Sequence, residues 1–293
     1  MTKQTSAPSP SLTGMDTCLQ PVGDVLAIVG APRDAASFVA SRLAARNKGS
    51  VTGLVVSPAF LGAHEPSHDA TIFSLLDRPP EAVHARDLEP GGDGDCFLQL
   101  ARTVGTSSAR WTTAEVDVAR RLASLAAWHD LIVVQRPGDP HLKPLDGLSH
   151  LVRLGVPCLI LPTVCAPSGV FDRVVVAWDG SQPATRSVRA ALPFLSAARE
   201  VLLLVGGMEK APDDLPVFDP MAFLTGHGIE TTRGRLSAAP AVAGTALLDR
   251  CRRFKADLLV MGAYGHAPLR ERLFGGATRH VLEHGSIATF LCH

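Results

Sequence analysis

The chain repeats one strand–helix pattern twice, and that duplication confines it to a narrow set of folds. Asp24-Val25-Leu26-Ala27-Ile28-Val29 opens the first copy, and Arg173-Val174-Val175-Val176-Ala177-Trp178 opens the second. Each run is followed by a turn and an alanine-rich helical segment, residues 35–46 and 184–198. Each helix leads to a further apolar run, at 51–56 and 200–205. Later, Asp130-Leu131-Ile132-Val133-Val134 matches Asp257-Leu258-Leu259-Val260-Met261, and each copy closes on a helix and a last strand, 157–161 and 288–292. Short apolar strands alternating with helices predict a parallel, doubly wound α/β sheet in each copy. Pro162, Pro167 and Gly169 punctuate the boundary. The predicted organisation is a disordered Ser/Thr/Pro-rich lead-in over 1–20, a first domain over 21–163, a linker over 164–170 and a second domain over 171–293.

The two copies diverge where chemistry would sit. In the second, the apolar run ends on Gly262, with Gly265 following and Gly275-Gly276-Ala277-Thr278 opening the next helical pattern. Glycines let backbone N–H groups approach a ligand without a Cβ in the way, and the first N–H groups of a helix lack partners within it. Strand, glycine loop and helix N-terminus together describe an anion cradle suited to phosphate. At the end of its first strand the second copy carries Asp179-Gly180-Ser181, a carboxylate able to accept hydrogen bonds from ribose hydroxyls or an adenine amine. The first copy has Gln135 in the place of Gly262 and Gly30-Ala31-Pro32 in the place of the Asp turn, so it lacks both features and reads as degenerate. Its longer middle section, including the stretch 89–95, reads as a surface loop.

With 28 basic and 28 acidic residues the formal charge is +0, which leaves no electrostatic footprint for nucleic acid and no basic helix for a membrane surface. Hydrophobic content of 46% describes a globular chain, and no apolar run reaches the length of a membrane span. The 6 cysteines form no CxxC pair, which suits a reducing, cytoplasmic setting.

These residues carry a family resemblance. The second copy resembles a universal stress protein domain through Val-Ala-Trp-Asp-Gly-Ser at 176–181, Ala-Asp-Leu-Leu-Val-Met-Gly at 256–262, and the spacing of Gly262, Gly265 and Gly275. The first copy shares the resemblance only through its strand pattern. The resemblance implies two Rossmann-like (adenine nucleotide α-hydrolase-like) domains, each a five-stranded parallel sheet flanked by helices. It also implies ATP as ligand, with Mg²⁺ as its companion. By position, Asp179 would meet the nucleoside, beside the strand-end residues Ala177, Trp178, Val205 and Met261. Gly262 and Gly265 would form the loop around ribose and phosphates. Gly275, Gly276 and Ala277 would give backbone N–H groups to phosphate, and Thr278 a hydroxyl.

In one respect the chain departs from the family pattern, which places Ser or Thr directly after the third glycine, where this chain has Gly276. The amide survives, and the lost hydroxyl contact is worth about 0.5–1.5 kcal/mol where that bond is made. The resemblance further implies pairing through the last strand. In a tandem chain, Cys158-Leu159-Ile160-Leu161 would then pair with Thr289-Phe290-Leu291-Cys292 inside one molecule, hiding both edges in a monomeric pseudo-dimer open to further association.

Other patterns carry blander readings. His64-Glu65-Pro66-Ser67-His68 matches a zinc-protease motif literally, but Pro66 opposes the helix that motif needs, so a polar loop is the expectation. His280 and His284 share a helix face without an evident further ligand. His266, Arg270 and Arg272 either neutralise phosphate or solvate the loop. Asp179 has a structural alternative as a turn or cap residue, and the glycines have one as positive-φ positions. No P-loop lysine, nucleophile elbow or carboxylate cluster for Mg²⁺ is evident, so binding with at most slow hydrolysis is expected, not turnover. The leading expectation is a cytoplasmic stress or regulatory protein with one ATP site in its second domain. The alternative is an interaction module that binds protein partners and no nucleotide.

Overall fold

The computed structural model describes residues 22–31, 33–56, 92–114, 118–137, 145–164, 168–206, 219–263 and 276–293. The lead-in, the His64–His68 motif, Gly265, His266, Arg270, Arg272 and Gly275 lie outside the described residues. The first half runs β1 (Asp24–Val29), α1 (Ala35–Arg46), β2 (Ser50–Val56), α2 (Asp93–Thr103), β3 (Ser108–Ala114), α3 (Val118–Ala126), β4 (Leu131–Gln135), α4 (Leu145–Arg153) and β5 (Cys158–Leu161). The second runs β6 (Arg173–Trp178), α5 (Gln182–Ala190), α6 (Leu192–Ala197), β7 (Glu200–Gly206), α7 (Pro220–Gly226), β8 (Thr231–Leu236), α8 (Ala243–Phe254), β9 (Leu258–Gly262), α9 (Gly276–His284) and β10 (Ala288–Cys292).

The ten strands among the described residues join one sheet in the order β3-β2-β1-β4-β5-β10-β9-β6-β7-β8. Within each half the neighbours are parallel, with β1 and β6 flanked by β2 and β4, and by β7 and β9. The halves meet where β10 pairs antiparallel with β5, Phe290 opposite Leu159 and Leu291 opposite Cys158. This is the intramolecular pairing of last strands that the family resemblance implies. It turns the carboxyl ends of the two five-strand sets in opposite directions, so their crevices open at opposite edges of the sheet.

Strand residues alternate between two apolar layers, as a period of two requires. Val25, Ala27, Val133, Leu159, Val174, Val176 and Phe290 face α1, α2, α5 and α6. Leu26, Ile28, Ile132, Ile160, Val175 and Leu259 face α3, α4, α8 and α9. The duplication extends to side-chain detail. Asp130 accepts the N–H groups of Gly23 and Asp24, both at 2.9 Å, and Asp257 accepts those of Asp172 at 2.7 Å and Arg173 at 3.1 Å. Each carboxylate ties down the start of its half's central strand.

Three local differences from the sequence reading have physical causes. The helical stretch after β6 is two helices broken at Ala191, because Pro193 has no N–H to give the carbonyl of Arg189. The stretch 89–95 is not wholly loop: α2 starts at Asp93, with Asp93 and Asp95 in its first turn favouring the helix dipole. Gly94 is glycine because a Cβ there would lie 2.8 Å from the Trp111 ring. The outermost strands, β3 and β8, carry Ser-Ala-Arg-Trp-Thr-Thr-Ala and Thr-Thr-Arg-Gly-Arg-Leu, polar edges that show no apolar run.

Candidate functional site

The site is built from two strand ends in the second half. After β6 the chain turns through Asp179-Gly180-Ser181, with Gly180 at φ +83°, a region that favours glycine. Asp179 accepts the Ser181 N–H at 3.0 Å, and Ser181 Oγ accepts the Ala184 N–H at 3.3 Å to cap α5. The structural reading of Asp179 as a turn residue is therefore realised, with the carboxylate half-buried at the carboxyl end of β6.

Gly262 ends β9 beside that turn. A Cβ built on it would lie 2.5 Å from Ala184 N, so only glycine lets the first turn of α5 dock on the strand end. From the other side Thr278, 4% exposed, donates its hydroxyl to the Gly262 carbonyl at 3.3 Å. The first turns of two helices, α5 and α9, thus converge on one residue. Both turn the positive end of a helix dipole toward it, although in α5 the Ala184 N–H is already capped by Ser181 Oγ. Gly276, the first residue of α9, is exposed, and a Cβ there would meet nothing within 4 Å.

The remaining sequence-predicted residues divide by what they offer. Ala177 and Val205 are half-buried at the ends of β6 and β7. Trp178 is 4% exposed, and its indole donates to Thr185 Oγ1 at 3.3 Å beneath α5, so it presents only backbone to the crevice. Met261 is buried and its carbonyl accepts the Ser187 hydroxyl at 2.9 Å. Ala277 is half-buried next to Gly276 in the first turn of α9.

In the first half the corresponding groups are already partnered. Asp34 Oδ2 accepts the N–H groups of Gly30 at 2.9 Å and Ala31 at 3.2 Å, and its Oδ1 accepts that of Ser37 at 2.7 Å. Gln135, ending β4, accepts the Ala35 N–H at 3.0 Å and donates to the Thr163 carbonyl at 2.9 Å. The crevice of this half is therefore bridged by its own side chains. Reading Gln135 as a replaced glycine did not reveal the bridge, and the capping carboxylate of Asp34 was missed because it lies two residues beyond the Gly30-Ala31-Pro32 turn.

Other candidates have partners of their own. His280 Nε2 lies 3.1 Å from Thr245 Oγ1, and the His280 and His284 rings stack at 4.3 Å. Among the described residues no three His, Cys, Asp or Glu side chains gather as a metal site. No described helix is long and apolar enough to cross a membrane.

Solved structures repeat this architecture over nearly the whole chain. A universal stress protein from Archaeoglobus fulgidus DSM 4304 is 15% identical, covering 92% of this chain and 96% of its own, with a TM-score of 0.63. The chain has the universal stress protein fold. A candidate universal stress protein of Pseudomonas aeruginosa UCBPP-PA14 shares that fold at 17% identity, 94% coverage of both chains and a TM-score of 0.56. A universal stress protein solved in complex with cAMP is 23% identical over 42% of this chain and 98% of its own, with a TM-score of 0.33. No protein-family model matches the sequence, and no curated protein matches it.

Proposed function

We propose that this chain is a universal stress protein that binds an adenine nucleotide, ATP with Mg²⁺, at the carboxyl edge of β6 and β9, and acts in the cytoplasm as a nucleotide-dependent regulator of stress response. The observation that carries the reading is the convergence of α5 and α9 on Gly262: Ala184 N packs against it and Thr278 Oγ1 bonds its carbonyl. Two helix N-termini aimed at one strand end favour a polyanion. In this reading Asp179 accepts a hydrogen bond from the ribose or adenine, while Gly276 and Ala277 donate backbone N–H groups to phosphate. Thr278 fixes the helix that presents them. Gly265 and Gly275, as the resemblance implies, complete the loop. Magnesium arrives on the nucleotide's own phosphates.

The first half serves as scaffold in this reading, its crevice bridged by Asp34 and Gln135. One observation favours a second reading, an interaction module without nucleotide: the hydroxyl of Thr278 is engaged by Gly262, and Gly276 supplies no replacement.

Calorimetric titration of ATP–Mg²⁺ into nucleotide-stripped protein separates the two. One site per chain, weakened at least tenfold (about 1.4 kcal/mol) by Asp179→Asn, is the expected result. Asparagine retains an acceptor for the Ser181 N–H, so the turn survives while the charge is lost. Absence of binding by the folded wild-type protein at millimolar ATP would overturn the nucleotide reading in favour of the interaction module.

A further inference from the structure

The helix that begins at the candidate phosphate cradle ends on a residue from the other half. Arg136 follows β4, and its two terminal nitrogens reach across the junction: Nη1 donates to the carbonyl of Leu282 and Nη2 to that of Gly285. Leu282 lies in the last turn of α9 and Gly285 just beyond it. These are carbonyls a helix end leaves without intrahelical partners, and a guanidinium there also complements the negative end of the dipole. Arg136 is itself anchored, its N–H bonded to the Leu161 carbonyl at 3.0 Å. Burial pulls its pKa below the ordinary guanidinium value, yet an arginine remains charged.

The fold does not require an arginine at this place. Its counterpart after β9 is Ala263, fully buried, which makes the same backbone bond to the Cys292 carbonyl at 3.1 Å. Only the half whose own crevice is bridged carries the cross-junction side chain. Because β5 and β10 run antiparallel, the carboxyl end of β4 lies beside the start of β10 and hence beside the C-terminus of α9. A helix of 9 residues spans the distance to Gly276 at its other end.

We infer that Arg136 is a positioning residue for the nucleotide site of the opposite half: by gripping both C-terminal carbonyls it fixes where α9 stands along its axis, and so where the Gly276 and Ala277 N–H groups meet phosphate. The inference rests on the nucleotide reading above. It also gives the degenerate half a task beyond filling an edge.

The test compares ATP with adenosine, which lacks the phosphates that α9 would hold, in the full chain and its Arg136→Met and Arg136→Lys variants. Arg136→Met should weaken ATP about tenfold, equivalent to losing one charge-assisted contact, while the adenosine affinity stays within about twofold. Arg136→Lys, which keeps the charge but not the fork, should recover part of the loss. Thermal unfolding of the ligand-free proteins reports whether the variants stay folded. Equal weakening of ATP and adenosine would mark Arg136 as merely structural, and an unchanged ratio with binding intact would overturn the positioning role alone. If the wild-type protein binds neither ligand, the nucleotide reading falls and this role falls with it.

Discussion

Gln135 and Gly262 end equivalent strands, β4 and β9, and do opposite things there. The glutamine side chain spans its crevice, from the Ala35 N–H at 3.0 Å to the Thr163 carbonyl at 2.9 Å. The glycine has no side chain, and α5 and α9 close in on its backbone instead. Both halves cap the helix after their first strand with a side chain of their own, Asp34 on α1 and Ser181 on α5, but the first adds the Gln135 bridge at the strand end where the second has only backbone. Since buried or half-buried N–H groups are costly to leave unpaired, these are different local solutions to one backbone requirement.

Removing the bridge should therefore cost stability without creating a second site. Gln135→Gly leaves the half-buried Ala35 N–H without its partner, a loss of about 1–3 kcal/mol. The carboxylate of Asp34 still accepts from Gly30 and Ala31 and would repel phosphate. Urea unfolding should give the lower stability, and ATP titration should still find one site per chain. Two sites would mean that Gln135 alone silences the first half.

Gly262→Ala tests the convergence directly. Its new Cβ would sit 2.5 Å from Ala184 N, which is backbone and cannot rotate away. The first turn of α5 must shift, at a cost of about 1–3 kcal/mol by analogy with overpacked cores. Denaturant unfolding should show that loss, and nucleotide affinity should fall with it because the Asp179 turn leads into the same helix. A variant as stable as the wild type would show that the helix yields easily.

Much of this architecture is legible in the sequence. The duplicated apolar runs announce β1 and β6, and β4 and β9, because strands buried on both faces cannot disguise their hydrophobicity; the pairing of β5 with β10 comes from the family resemblance. Edge strands β3 and β8 were not legible as runs, since one edge faces solvent and Arg110, Arg233 and Arg235 interrupt the pattern. At the candidate site, residue types can be read from the sequence but their engagements cannot. Trp178 looked like a wall of the crevice, yet alternation turns its indole under α5. Arg136 was invisible because its partners are carbonyls nearly 150 positions away, 146 and 149 residues along the chain, and carbonyls leave no mark in a sequence.

Gly276→Ser should improve the site. A Cβ at Gly276 meets nothing within 4 Å, so the added side chain brings no clash and changes stability by at most about 0.5 kcal/mol. Its hydroxyl restores the donor found there in the family pattern. One such hydrogen bond, about 0.5–1.5 kcal/mol, corresponds to an affinity gain of about two- to tenfold for ATP. Calorimetry with adenosine as control should show the gain for ATP only. A gain for both ligands would place the new hydroxyl away from phosphate.

Phe290 is fully buried on β10 opposite Leu159, and its ring lies 5.5 Å from that of Phe194 on α6. It belongs to an apolar layer that runs without interruption from Leu131 and Val133 in the first half to Val174 and Val260 in the second. Phe290→Ala should cost about 3–5 kcal/mol, the range for removing a fully buried aromatic ring. Because the layer is shared, the loss should appear in both halves together. Trp111 in the first half and Trp178 in the second provide reporters, each kept as the sole tryptophan in a variant with the others changed to Phe. Coincident unfolding midpoints in the wild-type background, both lowered by Phe290→Ala, would make the ten-stranded sheet one cooperative unit. Separated midpoints, with only the Trp178 transition lowered, would make the halves independent domains that share an edge but not their stability.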